Sequence, residues 1–409
     1  MNQNILFQKE SDQKKSIVDQ GILESFYRLK NYCEQEDFKG WDPFDGLNSR
    51  LFQQLPLLSK KRLPRLVWIQ LFKKLPFNLR TVLGVKKGYN PKGIALFLAG
   101  YCKLSSLRGL HDESVEKINV LAKRLISLRT DNFSGNCWGY NFDWQSRAFF
   151  QPKFTPTVVA TTFAANALID AYEVTNDTVY LDAAIHSKEF ILNDLNRTYS
   201  GGGKFAFSYS PQDHTSVFNA SLLGARLLSR IYSYTNDHEL KELAKNAVDY
   251  CVDFQNNDGS WMYSPLPYHG WIDNFHTGFN LECISDYALY TNDHSYNNSL
   301  CKGMEYYLKT FFDHKGRSKY YSDSLFPIDI HAPSQLVITL EKTKYFNENR
   351  ELIDRVLKWT ITNMQSPDGY FYYQKRKFYT NKIPYMRWSQ GWMFYALSAY
   401  LKFYNFEKS

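Results

Sequence analysis

The sequence predicts an all-α fold, an (α/α)6 toroid of helical hairpins with short β-hairpins in the long loops of one face. Three observations lead there. The tripeptide Thr-Asn-Asp recurs at Thr175–Asp177, Thr235–Asp237 and Thr291–Asp293, at spacings of 60 and 56 residues, and such a period marks a repeat architecture. Apolar residues three and four apart flank each copy, as at Leu223, Leu227, Leu228 and Ile231, which is the pattern of amphipathic helices. Six inner helices can be counted, over about 92–105, 157–174, 217–234, 276–290, 331–343 and 387–404.

Taken in order, a helix over about 14–35 opens the chain. The sixth inner helix has no partner after it, so this first helix is expected to pack beside 387–404 and close the ring. Residues 36–91 read as a basic amphipathic insertion within a single domain spanning 1–409. Each of the first five inner helices is followed by an outer one, with Asp177 and Asp237 placed as N-caps. Lys344–Asn347 occupies the turn position of a fourth, diverged copy. The connections over 130–156, 196–216, 256–275, 314–330 and 365–386 are long and carry strand-like pieces at Lys204–Ser210, Gly259–Ser264, Arg317–Ser322 and Gly369–Gln374. Short turns then lie on one face and long loops on the other. Function is expected on the long-loop face, because loops held by a rigid scaffold carry most chemistry.

The 409 residues are 44% hydrophobic, with no long polar tract, which excludes disordered and fibrous classes. The polar start predicts no secretory leader, and the six cysteines form no CxxC pair, so a cytoplasmic, reduced protein is expected. Of the net charge of +8, the acid-free stretch Gly46–His111 carries 13 basic residues. Interleaved Leu66, Val67, Trp68, Ile69, Leu71 and Phe72 make residues 60–92 either a peripheral dock for an anionic membrane or the solvated face of an ordinary helix. Nucleic acid is not expected, since no zinc-finger, homeodomain-like or RNP motif accompanies the block. Neither HExxH, EF-hand and zinc spacings nor a P-loop or GxSxG elbow occurs, so no metal and no cofactor is expected.

Candidate chemistry sits where long loops meet inner helices. His269-Gly270-Trp271-Ile272-Asp273-Asn274-Phe275-His276 brings two imidazoles and a carboxylate to the fourth inner helix. Histidine is a natural acid or base near neutral pH and a neighbouring carboxylate orients it; Asp273 is equally placed as a helix cap. Asp329 and His331 recur one repeat later. Asp143 stands among Trp138, Tyr140, Trp144 and Arg147, where rings can stack on sugar faces. Arg387 could grip a carboxylate bidentately or pair with Asp143 or Asp273. Trp388 and Gln390 follow it. His214 and Asn219 precede the third inner helix, Asn219 as a sugar ligand or an N-cap.

The segments Trp138–Gln145, Asp273–Gly278, Asp329–Ala332, Arg387–Trp392 and Asp42–Leu47 resemble signatures of toroidal proteins from bacterial capsule and exopolysaccharide clusters, over nearly the whole chain. That resemblance implies a role in surface glycan assembly. More distantly the architecture is similar to six-hairpin glycosidases, uronate lyases and sugar epimerases. Gln255–Trp261 resembles the QW repeat of triterpene cyclases and protein prenyltransferases, but no DxDD tetrad or Asp/Cys/His zinc set accompanies it.

The expected function is acid/base chemistry on a nascent or lipid-linked glycan: hydrolysis, β-elimination or C5 epimerisation. Hydrolysis would use Asp143 with Asp273 or Asp329. Elimination or epimerisation would use His276 or His331, with Arg387 on a uronate. The alternatives are a non-catalytic glycan-binding or assembly protein and, behind it, a terpene cyclase-like or prenyltransferase-like enzyme. A chamber with facing buried ionisable groups favours the enzyme, and a shallow aromatic groove favours the binder.

Overall fold

A computed structural model describes residues 18–146 and 149–404. Its principal helices are α1 (Gln20–Gln35), α2 (Arg62–Lys74), α3 (Pro91–Leu104), α4 (His111–Ser127), α5 (Val158–Thr175), α6 (Thr178–Ile185), α7 (Phe218–Thr235), α8 (His238–Val252), α9 (Asn274–Thr291), α10 (Asn297–Phe311), α11 (His331–Lys342), α12 (Arg350–Met364) and α13 (Trp392–Phe403). Helices α3, α5, α7, α9, α11 and α13 pack each on the next, and α13 packs back on α3. This is the expected (α/α)6 toroid. The inner helices are buried on nearly every face, whereas the long outer ones bury a single stripe and leave the rest to solvent, the usual pattern of a surface helix.

The short turns share one local solution. Asn176, Asn236 and Asn292 are left-handed, at φ 59°, 55° and 55°. The preceding threonine donates to the carbonyl four residues back, as Thr175 Oγ1 does to Ala171 (2.8 Å), and the following aspartate caps the next segment, as Asp177 does for the amide of Val179 (3.1 Å). Asparagine tolerates this backbone better than other side chains do. In the diverged copy Thr343 repeats the threonine bond to Thr339, but Lys344 takes the left-handed position at φ 64°.

The long-loop side has its own repeated corner. Gln255 donates to the carbonyls of Gly259 and of Ser299 at the start of α10, both at 3.0 Å. Gln365 does the same to Gly369 (2.8 Å) and to Ser25 of α1 (3.0 Å). Gly259 and Gly369 have φ of 91° and 96°, and a Cβ at either would collide with the carbonyl oxygen of Lys302 or Arg28, each three residues beyond the bonded one. Helix α1 therefore receives the contact that an outer helix receives elsewhere in the ring. Phe26 also packs on Phe394 of α13, with ring centroids 5.7 Å apart. Closure by the first helix holds; residues 14–17 of its expected span lie outside the described residues. The QW-like segment is one of these corners, with Trp261 Nε1 bonded to the Cys251 carbonyl at 3.0 Å.

The strand expectations are met in part. Phe205–Phe207 pairs with Arg197–Tyr199, and Gln374–Lys375 lies between Ile328–Asp329 and Thr380–Asn381. Gly259–Ser264 forms no strand, and Arg317–Ser322 makes only isolated bridges. In the 36–91 stretch, α2 lies on the long-loop side with Ile69 and Phe72 buried. Trp68 stacks on Phe52 at 4.9 Å and donates to the Gly46 carbonyl. These three side chains face the protein, not solvent. The outward apolar residues are instead Leu57, Leu63, Val67, Leu71, Phe77 and Val82.

A left-handed lysine carries a backbone cost that glycine avoids. Lys344→Gly is expected to stabilise the fold by about 1 kcal/mol, read as a raised midpoint in urea denaturation with an unchanged slope; a lowered midpoint would contradict the shared turn geometry.

Candidate active site

The long loops converge on an inner chamber of about 170 Å³, continuous in its lining with an outer one of about 280 Å³; Phe44, Trp144, Tyr209, Tyr263, His276 and Tyr320 belong to both. The walls are mostly aromatic. Among the described residues, the ionisable side chains of the inner chamber, tyrosines aside, are Lys92, His276, His331 and Arg387, and no Asp or Glu lines either space.

His276 sits in the first turn of α9. Asp273 caps that helix through Oδ1, which accepts from the His276 amide at 3.0 Å, while its Oδ2 accepts from His276 Nδ1 at 2.6 Å and from Trp271 Nε1 at 3.0 Å. One carboxylate thus both caps the helix and fixes the ring. Nδ1 carries the proton toward Asp273, leaving Nε2 for the chamber.

His331 opens α11 and is 2% exposed. Its ring stacks on Phe275 at 4.5 Å and lies 4.2 Å from that of Trp392. Among the described residues neither ring nitrogen is in a well-formed hydrogen bond, although the Gln335 side chain is close enough to act on the ring. Burial, with the neighbouring positive charges of Lys92, His276 and Arg387, holds its pKa well below 6.5, so it is neutral. Both histidines pack against Phe279, at 6.3 and 5.7 Å between ring centroids.

Arg387 and Trp388 lie in a π-helical turn, Met386–Gly391, that leads into α13; such turns are frequent at functional sites. Arg387 Nε and Nη2 bond the two oxygens of buried Asp42 at 2.6 and 2.8 Å. The bidentate grip foreseen for a substrate is therefore spent on Asp42, which displaces Asp143 and Asp273 as expected partners, and Nη1 is the nitrogen that remains.

Of the other expected residues, Tyr140, Trp144, Asn219 and Trp388 line the inner chamber, and His269 and Trp271 the outer. Asp273 stands behind His276. Asp329 is sealed from the chamber by bonds from Trp388 Nε1, the His331 amide and Gln374, and burial pushes its carboxyl up. Asp143 accepts from the Lys153 amide at 2.8 Å and lies outside both chambers, as does exposed His214. Trp138 and Gln390 are buried structural groups, bonded to the carbonyl of Leu125 and to the backbone of Phe371. Arg147 lies outside the described residues. Sequence reasoning missed Lys92, Phe44, Tyr209, Tyr263 and Tyr320. Phe44 carried a signal inside Asp42–Leu47, Lys92 at the start of the first inner helix, and Tyr209, Tyr263 and Tyr320 in the strand-like pieces of the long loops.

Comparison with protein-family models and with curated protein sequences gave no match. Solved structures do match. The cellobiose 2-epimerase of Bacillus thermoamylovorans is 14% identical, with a TM-score of 0.58 over 76% of this chain and 87% of its own. An unsaturated glucuronyl hydrolase specific for heparin is 11% identical, at 0.61 over 95% and 97%. The GH76 α-mannanase of Bacteroides thetaiotaomicron is 14% identical, at 0.57 over 78% and 88%. The six-hairpin toroid is the fold this chain shares with them.

Removing one member of a buried ion pair strands the other. Asp42→Ala is expected to cost about 3–5 kcal/mol of unfolding free energy, and adding Arg387→Met should return part of it. Denaturant titration of the single and double variants checks this; an Asp42→Ala protein as stable as the parent would refute it.

Proposed function

We propose that the chain is a carbohydrate-active enzyme that moves a proton at a sugar carbon, an epimerase or a lyase, in the assembly of a surface polysaccharide. The observation that carries this reading is a chamber walled by aromatic rings whose lining holds two histidines and no carboxylate. Glycoside hydrolysis ordinarily uses two carboxylates flanking the scissile bond, and Asp143 and Asp329 do not reach the chamber. Four buried or half-buried cationic or titratable groups around one cavity favour catalysis over mere glycan binding. The carbohydrate enzymes that share the fold support a sugar as substrate, as analogy.

In this reading neutral His331 takes the proton from the carbon next to a carbonyl or carboxylate. His276, oriented by Asp273, returns one through Nε2 to the opposite face in an epimerisation. In an elimination it protonates the departing oxygen instead. Incubation with uronate-containing and neutral oligosaccharides in D2O tests the reading by mass spectrometry. Deuterium at a sugar carbon or an unsaturated product is expected; hydrolysis alone would overturn it. His331→Asn and His276→Asn should each lower the rate by about 10²–10⁴ without unfolding the protein. Because His331 is held neutral, kcat/KM should persist on the acid side of pH 6.5, where an ordinary imidazole base would be protonated.

The finer reading adds a lipid-linked glycan met at an anionic membrane. No described helix is long and apolar enough to cross a membrane. The insertion nevertheless turns Leu57, Leu63, Val67, Phe77 and Val82 outward and exposes Lys60, Lys61, Lys74 and Lys86. Each lysine near an anionic leaflet contributes on the order of 1 kcal/mol. The protein should sediment with anionic vesicles at low salt and leave them at high salt, and changing these four lysines to Gln should keep it in solution. Equal sedimentation of both forms would refute docking.

A further inference from the structure

We propose that Lys92 is the acid-recognising group of the chamber, selecting sugars that carry a carboxylate and pairing with it when they bind. This rests on the sugar-directed reading above and names its substrate class. Among the described residues, six lysines and arginines are buried: Lys30, Arg80, Lys92, Arg226, Arg230 and Arg387. Five have a carboxylate within 4.0 Å, at Glu34 and Glu113, Asp45, Asp286, Asp170 and Asp42 respectively. Lys92, 4% exposed, has none. Its Nζ lies over the rings of Phe163, Phe279 and Trp392, at 4.1, 5.2 and 5.3 Å. Ring faces attract an ammonium, but they do not replace a counterion for a charge taken out of water.

The missing partner has somewhere to sit. Lys92 lines the inner chamber with His331 and with Asn219, whose buried Oδ1 has no hydrogen-bond partner. Among the described residues no carboxylate in the lining repels an incoming acid. The charged or titratable groups around Lys92 are Arg387 with Asp42, Glu282 on α9 and His331 on α11. Asp42 is taken by Arg387, and Glu282 accepts from Thr339 at 2.8 Å and from Gln335. Burial without a counterion holds the proton affinity of Lys92 well below that of an ordinary lysine. A bound carboxylate supplies the missing counterion and raises that affinity.

Calorimetric titration of the full chain with sodium glucuronate and with methyl glucoside tests the assignment. Glucuronate should bind at least about tenfold more tightly. Lys92→Met should erase the preference while keeping methyl glucoside binding and Tm; Lys92→Arg should keep the preference. Equal affinity in the parent, or a preference that survives Lys92→Met, overturns the proposal. Deuterium exchange without acid preference would overturn this assignment alone, acid preference without exchange the proton-transfer reading alone, and no binding of either sugar both.

Discussion

The buried pair between Arg387 and Asp42 is the contact on which the site depends. It ties the insertion to the turn that opens the last inner helix, and it is doubled nearby. Arg80 bonds Asp45 at 2.7 Å and the Asp42 carbonyl at 2.8 Å, so two arginines and two aspartates interlock around Pro43 and Phe44. Phe44 is thereby held as a wall of both chambers. Charges this deep are tolerable only when each lone pair and proton is met, and that requirement fixes the segment more strictly than apolar packing would.

Below the chamber, along the inner helices, the buried charges are met by one another. Arg226 pairs with Asp286 and Arg230 with Asp170, and Glu282, pushed up to about 7 by burial, accepts from Thr339. On the loop side the outer chamber lies between α2 and the aromatic loops.

The fold was legible in the sequence because its signals are local. The bonds and dihedrals of Thr-Asn-Asp lie within a few residues, so inner-helix boundaries follow from the motif. His276, His331 and Trp388 were legible for a related reason, since a residue at the start of an inner helix must lie near the axis. Asp143 and His214 sit in irregular loops, where direction depends on contacts far off in the chain. Trp138 looked like a sugar platform because a structural indole and a binding one have the same composition around them. Lys92 was hidden among 13 basic residues; only the folded chain shows that it lacks the carboxylate its buried counterparts possess. The amphipathic insertion revealed that it has an apolar side but not that Trp68, Ile69 and Phe72 are the part turned inward.

The Thr-Asn-Asp turns stand a full inner helix away from the chamber, about 27 Å for 18 residues. A change at a turn touches only the joint between two helices, whereas a change at a loop alters the chamber wall. At the fourth joint Lys344 stands where the other three have asparagine, yet His331 at the other end of the same inner helix lies between Phe275 and Trp392. The length of the inner helices thus insulates the chamber from the identity of the residues that join them.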